Sequence, residues 1–153
     1  MPHRPVSPRS QAQTILSRLL PALRRYATLM AGGSFEIADR IVSDCVVGVT
    51  SEWSTAVPTI EDTRLALLKE MHRRFCEGPI TFVTADSSFA PDSSDRSNTF
   101  RRLNRLAPED RSILLLLRFE RLATYEVSQV TGLAMKEIAG RVSTAELAVL
   151  QDA

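Results

Sequence analysis

Side chains able to do chemistry are few in this sequence and far apart. Its two cysteines, Cys45 and Cys76, and its two histidines, His3 and His72, each stand alone. Four isolated residues make neither a metal cluster nor a disulfide framework. Asp39 and Asp44 come nearest to a carboxylate pair, but five residues apart on a helix they do not sit squarely on one face. No Gly-rich phosphate loop is present, and no nucleophile is paired with a base. An enzyme is not expected, nor is a cofactor, a metal or a small-molecule substrate. The two thiols read as buried and free, in a cytoplasmic protein.

What remains is charge and apolar surface. The net charge of +1 decides nothing, but its distribution does. Residues 1–33 carry five Arg and no acid; residues 34–78 carry eight acids and five bases. Residues 101–122 carry six bases and three acids, whereas residues 123–153 carry two bases and four acids, a net of −2. No apolar run is long enough to span a membrane, and the Pro-rich N-terminus lacks the apolar core of a secretory signal.

These residues must be positioned by helices. Ile15/Leu16, Leu19/Leu20, Leu23, Tyr26/Ala27 and Met30 recur every three or four residues, which predicts a helix over 10–31. Pro21 lies inside it and predicts either a kink or a second start. Gly32-Gly33 ends it, and Ser34 caps a second helix over 35–50, with Phe35, Ala38, Ile41/Val42, Cys45/Val46 and Val49 inward. Thr59 with Asp62 resembles a capping box for a third, over 60–77, carrying Leu65, Leu68, His72 and Phe75 on one stripe. On such a stripe His72 reads as a core histidine. Gly78-Pro79 stops this helix, and a Ser/Asp/Pro-rich linker follows, with Ile80, Phe82, Val83 and Phe89 as docking contacts.

A short helix over 99–106 leads into the most informative stretch. Pro108 suits a first helical turn, Glu109 and Asp110 suit its positive end, and Ile113 to Leu117 with Phe119 form an apolar run. A helix apolar nearly all round is a buried one, the centre of its unit. Leu122, Val127 and Val130 then face inward, Ser128 is small where helices approach, and Gly132 suits a left-handed turn. Leu133, Ile138 and Val142 anchor a last helix over 135–150. This is a helix-turn-helix pattern, used either to read DNA or only to pack.

The order of these elements carries a resemblance. Leu23-Arg24-Arg25-Tyr26-Ala27 with Gly32-Gly33, the Leu-Ala-Pro-Glu-Asp-Arg-Ser-Ile-Leu-Leu-Leu run from Leu106, and the helix-turn-helix through Gly132 resemble extracytoplasmic-function sigma factors over about residues 14–150. Leu19 to Ala27 and Arg64 to Phe75 are more similar to the sigma-like domain of PhyR-type general stress response regulators. The resemblance implies an all-α fold of two small helical units. These are a three-helix unit over 10–78, a linker over 79–98, and a unit with the helix-turn-helix over 99–153. It also implies a sigma-factor mimic that binds a small helical anti-sigma factor (NepR) and so acts on stress-response transcription by partner switching. PhyR proteins continue into a receiver domain; this sequence stops at Ala153, so a truncated or free-standing sigma-like protein is expected, with no assigned phosphoacceptor.

The charge count favours the mimic. A promoter reader needs stacking aromatics and a basic groove, and cations on its recognition helix. The last helix has only Lys136 and Arg141, opposed by Glu137 and Glu146. For an anti-sigma partner the candidate contacts are Arg24, Arg73, Val130, Leu133 and Met135. For the alternative, a working sigma factor or other DNA-binding regulator acting with RNA polymerase, they are Arg101, Arg102, Lys136 and Arg141.

Overall fold

The computed structural model describes residues 7–53, 57–78 and 95–150, with backbone alone for 95–99. The linker residues 79–94, with the four docking contacts named above, lie outside the described residues. Helix α1 (Pro8–Met30) starts two residues earlier than expected. Ser7 caps it, its hydroxyl accepting from the Ser10 N–H at 3.3 Å, and Pro8 takes the first helical position. Pro21 neither ends nor restarts the helix. The carbonyl its missing N–H would have served belongs to Ser17, on the exposed face, where water can serve it.

Gly32 and Gly33 have φ of +67° and +94°, so the chain reverses within the connection to α2 (Phe35–Thr50). Ser34 caps α2 through the Ile37 N–H, and Thr59 caps α3 (Ile60–Glu77) through the Asp62 N–H at 3.2 Å. The inward face of α3 is Leu67, Leu68, Met71, His72 and Phe75, with Leu65 only partly buried. Helix α4 (Asp95–Arg105) begins four residues earlier than the sequence suggested.

Helix α5 (Pro108–Arg118) is the central rod. Residues 111–116 are all buried, and Ile113, Leu115 and Leu116 are fully so. Burying each such side chain stabilises the fold by about 1.5–3 kcal/mol. Phe119, expected to extend this apolar run, sits instead at the C-cap and is 45% exposed. The buried stripe has ended by then, because the chain turns away at Glu120. Helix α6 (Thr124–Thr131), a turn at Gly132 (φ +76°) and α7 (Met135–Leu150) complete the described residues.

The two sets of helices share one core. Helix α3 packs on α6, and α5 packs on both α1 and α3. Three polar connections join them across that contact. Arg111 is buried and spans two helix ends: Nε donates to the Leu103 carbonyl (2.8 Å), Nη1 to Met30 (2.9 Å), and Nη2 to Asn104 (3.0 Å) and Leu106 (3.2 Å). The carbonyl end of a helix is its negative pole, so one cation serves α1 and α4 together. Glu120, also buried, accepts from Arg25 of α1 at 3.2 Å and lies 3.5 Å from Arg64 of α3. The third connection is Ser112, whose hydroxyl meets Tyr26 at 2.6 Å and His72 at 2.7 Å.

Candidate functional site

Between the two units runs a groove of about 670 Å³. The end of α2 supplies Gly48 and Val49, and the turn after it Glu52. Helix α3 supplies Ala66, Lys69, Glu70, His72, Arg73 and Glu77. The end of α6 and its turn supply Gln129, Val130, Thr131 and Gly132. The far wall is fixed locally. Ser128 donates its hydroxyl to the Leu133 carbonyl at 2.6 Å, the Gly132 N–H returns to the Ser128 carbonyl at 2.8 Å, and the Leu133 N–H reaches the Thr131 hydroxyl at 3.3 Å. At φ +76° a residue with a Cβ is strained, so glycine holds this corner.

The floor is small and apolar, and the rim carries both signs. Glu70 is the anchor of the rim: Arg73 reaches it with two hydrogen bonds (2.6 and 3.1 Å) and Arg74 with one (3.0 Å). The bonds from Arg73, then those from Arg74, hold its carboxyl below the ordinary value, although burial pushes the other way. Arg74 also lies 3.8 Å from Asp44. Gly48 is exposed, and a Cβ placed there would meet nothing within 4 Å. Beside it Val47 is 68% exposed, so apolar surface continues from the groove onto α2.

Beneath the groove lies the polar junction. Tyr26 stacks edge-on against Phe75 at 6.3 Å, its hydroxyl turned to Ser112. Burial drives the Tyr26 phenol well above its ordinary pKa. His72 is only 4% exposed, the core histidine that its stripe predicted, and burial lowers its pKa. The Cys76 thiol stands 3.6 Å from the same ring nitrogen and is pushed up to about 12 by burial; Cys45 is pushed up to about 11. Both cysteines are held as thiols; Cys45 is buried, as the sequence suggested, and Cys76 is half-buried. No group of three or more potential metal ligands occurs among the described residues, and no described helix is long and apolar enough to cross a membrane.

The candidate partner contacts scatter. Arg73 is on the groove wall, engaged with Glu70. Val130 borders the groove and is 3% exposed, inward as its spacing indicated. Leu133 packs partly against the core, and Met135 is 54% exposed at the start of α7; neither lines the groove. Arg24 lies away from it, 3.6 Å from Asp39. Two of the four candidate DNA contacts are occupied by the protein itself. Arg141 is held by Glu109 (2.6 Å), Asp110 (3.4 Å) and Glu137 (3.5 Å), and Arg102 donates to the Val149 carbonyl at 3.2 Å. Arg101 and Lys136 are exposed. Sequence reasoning missed Ser112 and Glu120, and read Arg111 as a phosphate contact for the DNA-binding alternative, whereas it is buried and bonded to four carbonyls. The available signal was polar residues within or just after a buried apolar run.

No protein-family model matches the sequence, and no curated protein is similar enough to count as a relative. A solved structure does match. The anti-anti-sigma factor PhyR of Bartonella quintana, crystallised with the anti-sigma factor NepR, aligns with a TM-score of 0.63 at 20% identity. The fold is the one found in PhyR. The alignment covers 92% of this chain and 49% of that one, so this chain spans about half the length of the PhyR chain. The seven described helices are therefore similar in fold to part of PhyR, and all-α is the class expected from the sequence.

Proposed function

We propose that this chain is a sigma-factor mimic that binds a small helical anti-sigma factor of the NepR kind, and so controls stress-response transcription by partner switching. The observation that carries the reading is the likeness of its docked helical fold to PhyR, a protein crystallised with such a partner. The groove supports it. An amphipathic helix docks by laying apolar side chains on an apolar floor and its charges on a polar rim. Val49 and Ala66 offer such a floor, and Glu52, Lys69 and Glu77 such a rim. The chain acts by binding, not by catalysis, and needs no cofactor.

The second reading, a promoter-binding sigma factor, asks for cations presented to phosphates. Arg141 is instead surrounded by three carboxylates, and Arg118 pairs with Glu146. Isothermal titration against the NepR-type anti-sigma factor of the source organism tests the proposal, with a promoter-fragment gel shift at low salt beside it. The expected result is a stoichiometric protein complex that displaces the sigma factor, and no competable DNA shift. Tight, competable promoter binding together with no anti-sigma complex refutes it.

A further inference from the structure

We infer that Tyr26, Ser112 and His72 form a proton-sensitive lock that holds the two helical units together at neutral pH and releases them in mild acid. Each residue comes from a different helix: Tyr26 from α1, His72 from α3 and Ser112 from α5. Tyr26 is 1% exposed and Ser112 fully buried, so their end of the junction is dry, while His72, 4% exposed, borders the groove. One hydroxyl serves two partners, at 2.6 and 2.7 Å.

Proton counting gives the chain of bonds a direction. The arrangement that satisfies all three groups has the Tyr26 O–H donating to Ser112 Oγ and the Ser112 O–H donating to His72 Nδ1. The Cys76 thiol, 3.6 Å from Nδ1 and kept protonated by its burial, is a further donor to the same nitrogen. A proton added at Nδ1 turns this acceptor into a donor. Ser112 Oγ then accepts from both Tyr26 and His72, and the Ser112 O–H loses the acceptor it had in the ring. The imidazolium charge is buried at the same time.

The surroundings do not rescue that charge. Around the ring stand Cys76 and Glu77 on α3 and Ser112 and Glu109 on α5, and the groove that His72 borders also carries Glu52, Lys69, Glu70 and Arg73. The nearby α6 residues of the groove, Gln129 to Gly132, are uncharged. Cys45 of α2 and Glu120 after α5 act on the Tyr26 side. Glu109 and Glu77 favour the cation from a distance, but burial outweighs them and the His72 pKa is lowered.

A neutral buried imidazole favours the closed form fully above the ordinary value. The open form binds the extra proton, so closure weakens as pH falls below about 6.5, by up to tenfold per pH unit for one proton. Carboxylates titrate lower, near 4, and leave this window clear. His72 also lines the groove, whose other wall is α6. Released units therefore lose the groove, and acid lowers the affinity for a helical partner. That last consequence rests on the anti-sigma reading; the lock itself does not.

The test uses the full chain without a partner. His3 is the only other histidine, so the wild-type protein gives two imidazole signals by NMR, one of them an internal reference. Native-state hydrogen exchange at the α5 amides, corrected for intrinsic rates, gives the opening constant from pH 7.5 to 5. We expect His72 to titrate below His3, and the opening constant to rise by up to tenfold per unit below about pH 6.5. In His72→Gln that pH dependence should vanish. A His72 signal titrating with His3 while α5 protection persists overturns the lock, as does an unchanged slope in His72→Gln. If that variant does not fold, the wild-type NMR titration decides alone.

Discussion

Replacing Arg111 by Met keeps most of the side-chain volume and removes the cation that spans two helix ends. Four carbonyls lose a donor: Met30 and Leu103 in fully buried bonds, Asn104 and Leu106 in part-buried ones. A buried acceptor stripped of its partner costs about 1–3 kcal/mol, so the two buried ones together cost roughly 2–6 kcal/mol. Water takes over at the other two. Desolvation of the guanidinium, which already depresses its pKa, no longer opposes folding in the variant. The net loss we expect is about 3–4 kcal/mol, within the range for removing one side of a buried charged interaction. For a chain of this size that lowers Tm by roughly 10 °C. Urea unfolding followed by circular dichroism at 222 nm measures it directly. Arg111→Lys separates charge from geometry: one ammonium cannot reach both helix ends, so we expect it to recover less than half of the loss. A loss below about 1 kcal/mol in Arg111→Met would refute the reasoning, because it would mean that desolvation cancels all four bonds.

Two further outcomes follow from backbone and groove. Arg121 has φ of +53°, a left-handed conformation that costs a side-chain-bearing residue about 1 kcal/mol, so Arg121→Gly should raise stability by several tenths of a kcal/mol or more in the same urea assay. Gly48 has no steric reason within the chain to lack a Cβ. Gly48→Ala should therefore stabilise the fold by about 0.5–1 kcal/mol, whereas Gly48→Leu should weaken anti-sigma binding in a titration without loss of helicity; equal affinity would show that no partner approaches there.

Helix boundaries were legible because their signals are local. Ser34, Thr59, Pro108, Gly78 and Gly132 each act within a few residues of where they sit. The stripe around His72 placed it in the core for the same reason. Residues whose partners lie far along the chain were not legible. Tyr26 and Ser112 are 86 residues apart, and Arg25 and Glu120 are 95 apart. No local periodicity announces such pairs, so the polar junction they form was not foreseen. Phe119 shows the converse error, whereas Val130 is inward as its spacing indicated. Apolar character alone said nothing about which side of a turn would face water. Arg141 likewise looked available because its neighbours in sequence do not include Glu109 and Asp110.

The Arg111 bridge also bears on the order in which the chain can fold. The last carbonyl of α1 finds its donor 81 residues downstream. While the chain is being synthesised, α1, α2 and α3 can pair, but their shared edge stays unfinished until α5 has left the ribosome. An N-terminal fragment ending near Gly78 keeps an uncapped helix end, an unmatched Tyr26 and an open apolar flank. Such a half is a target for chaperones and proteases, and the sequence that looks like two modules matures as one.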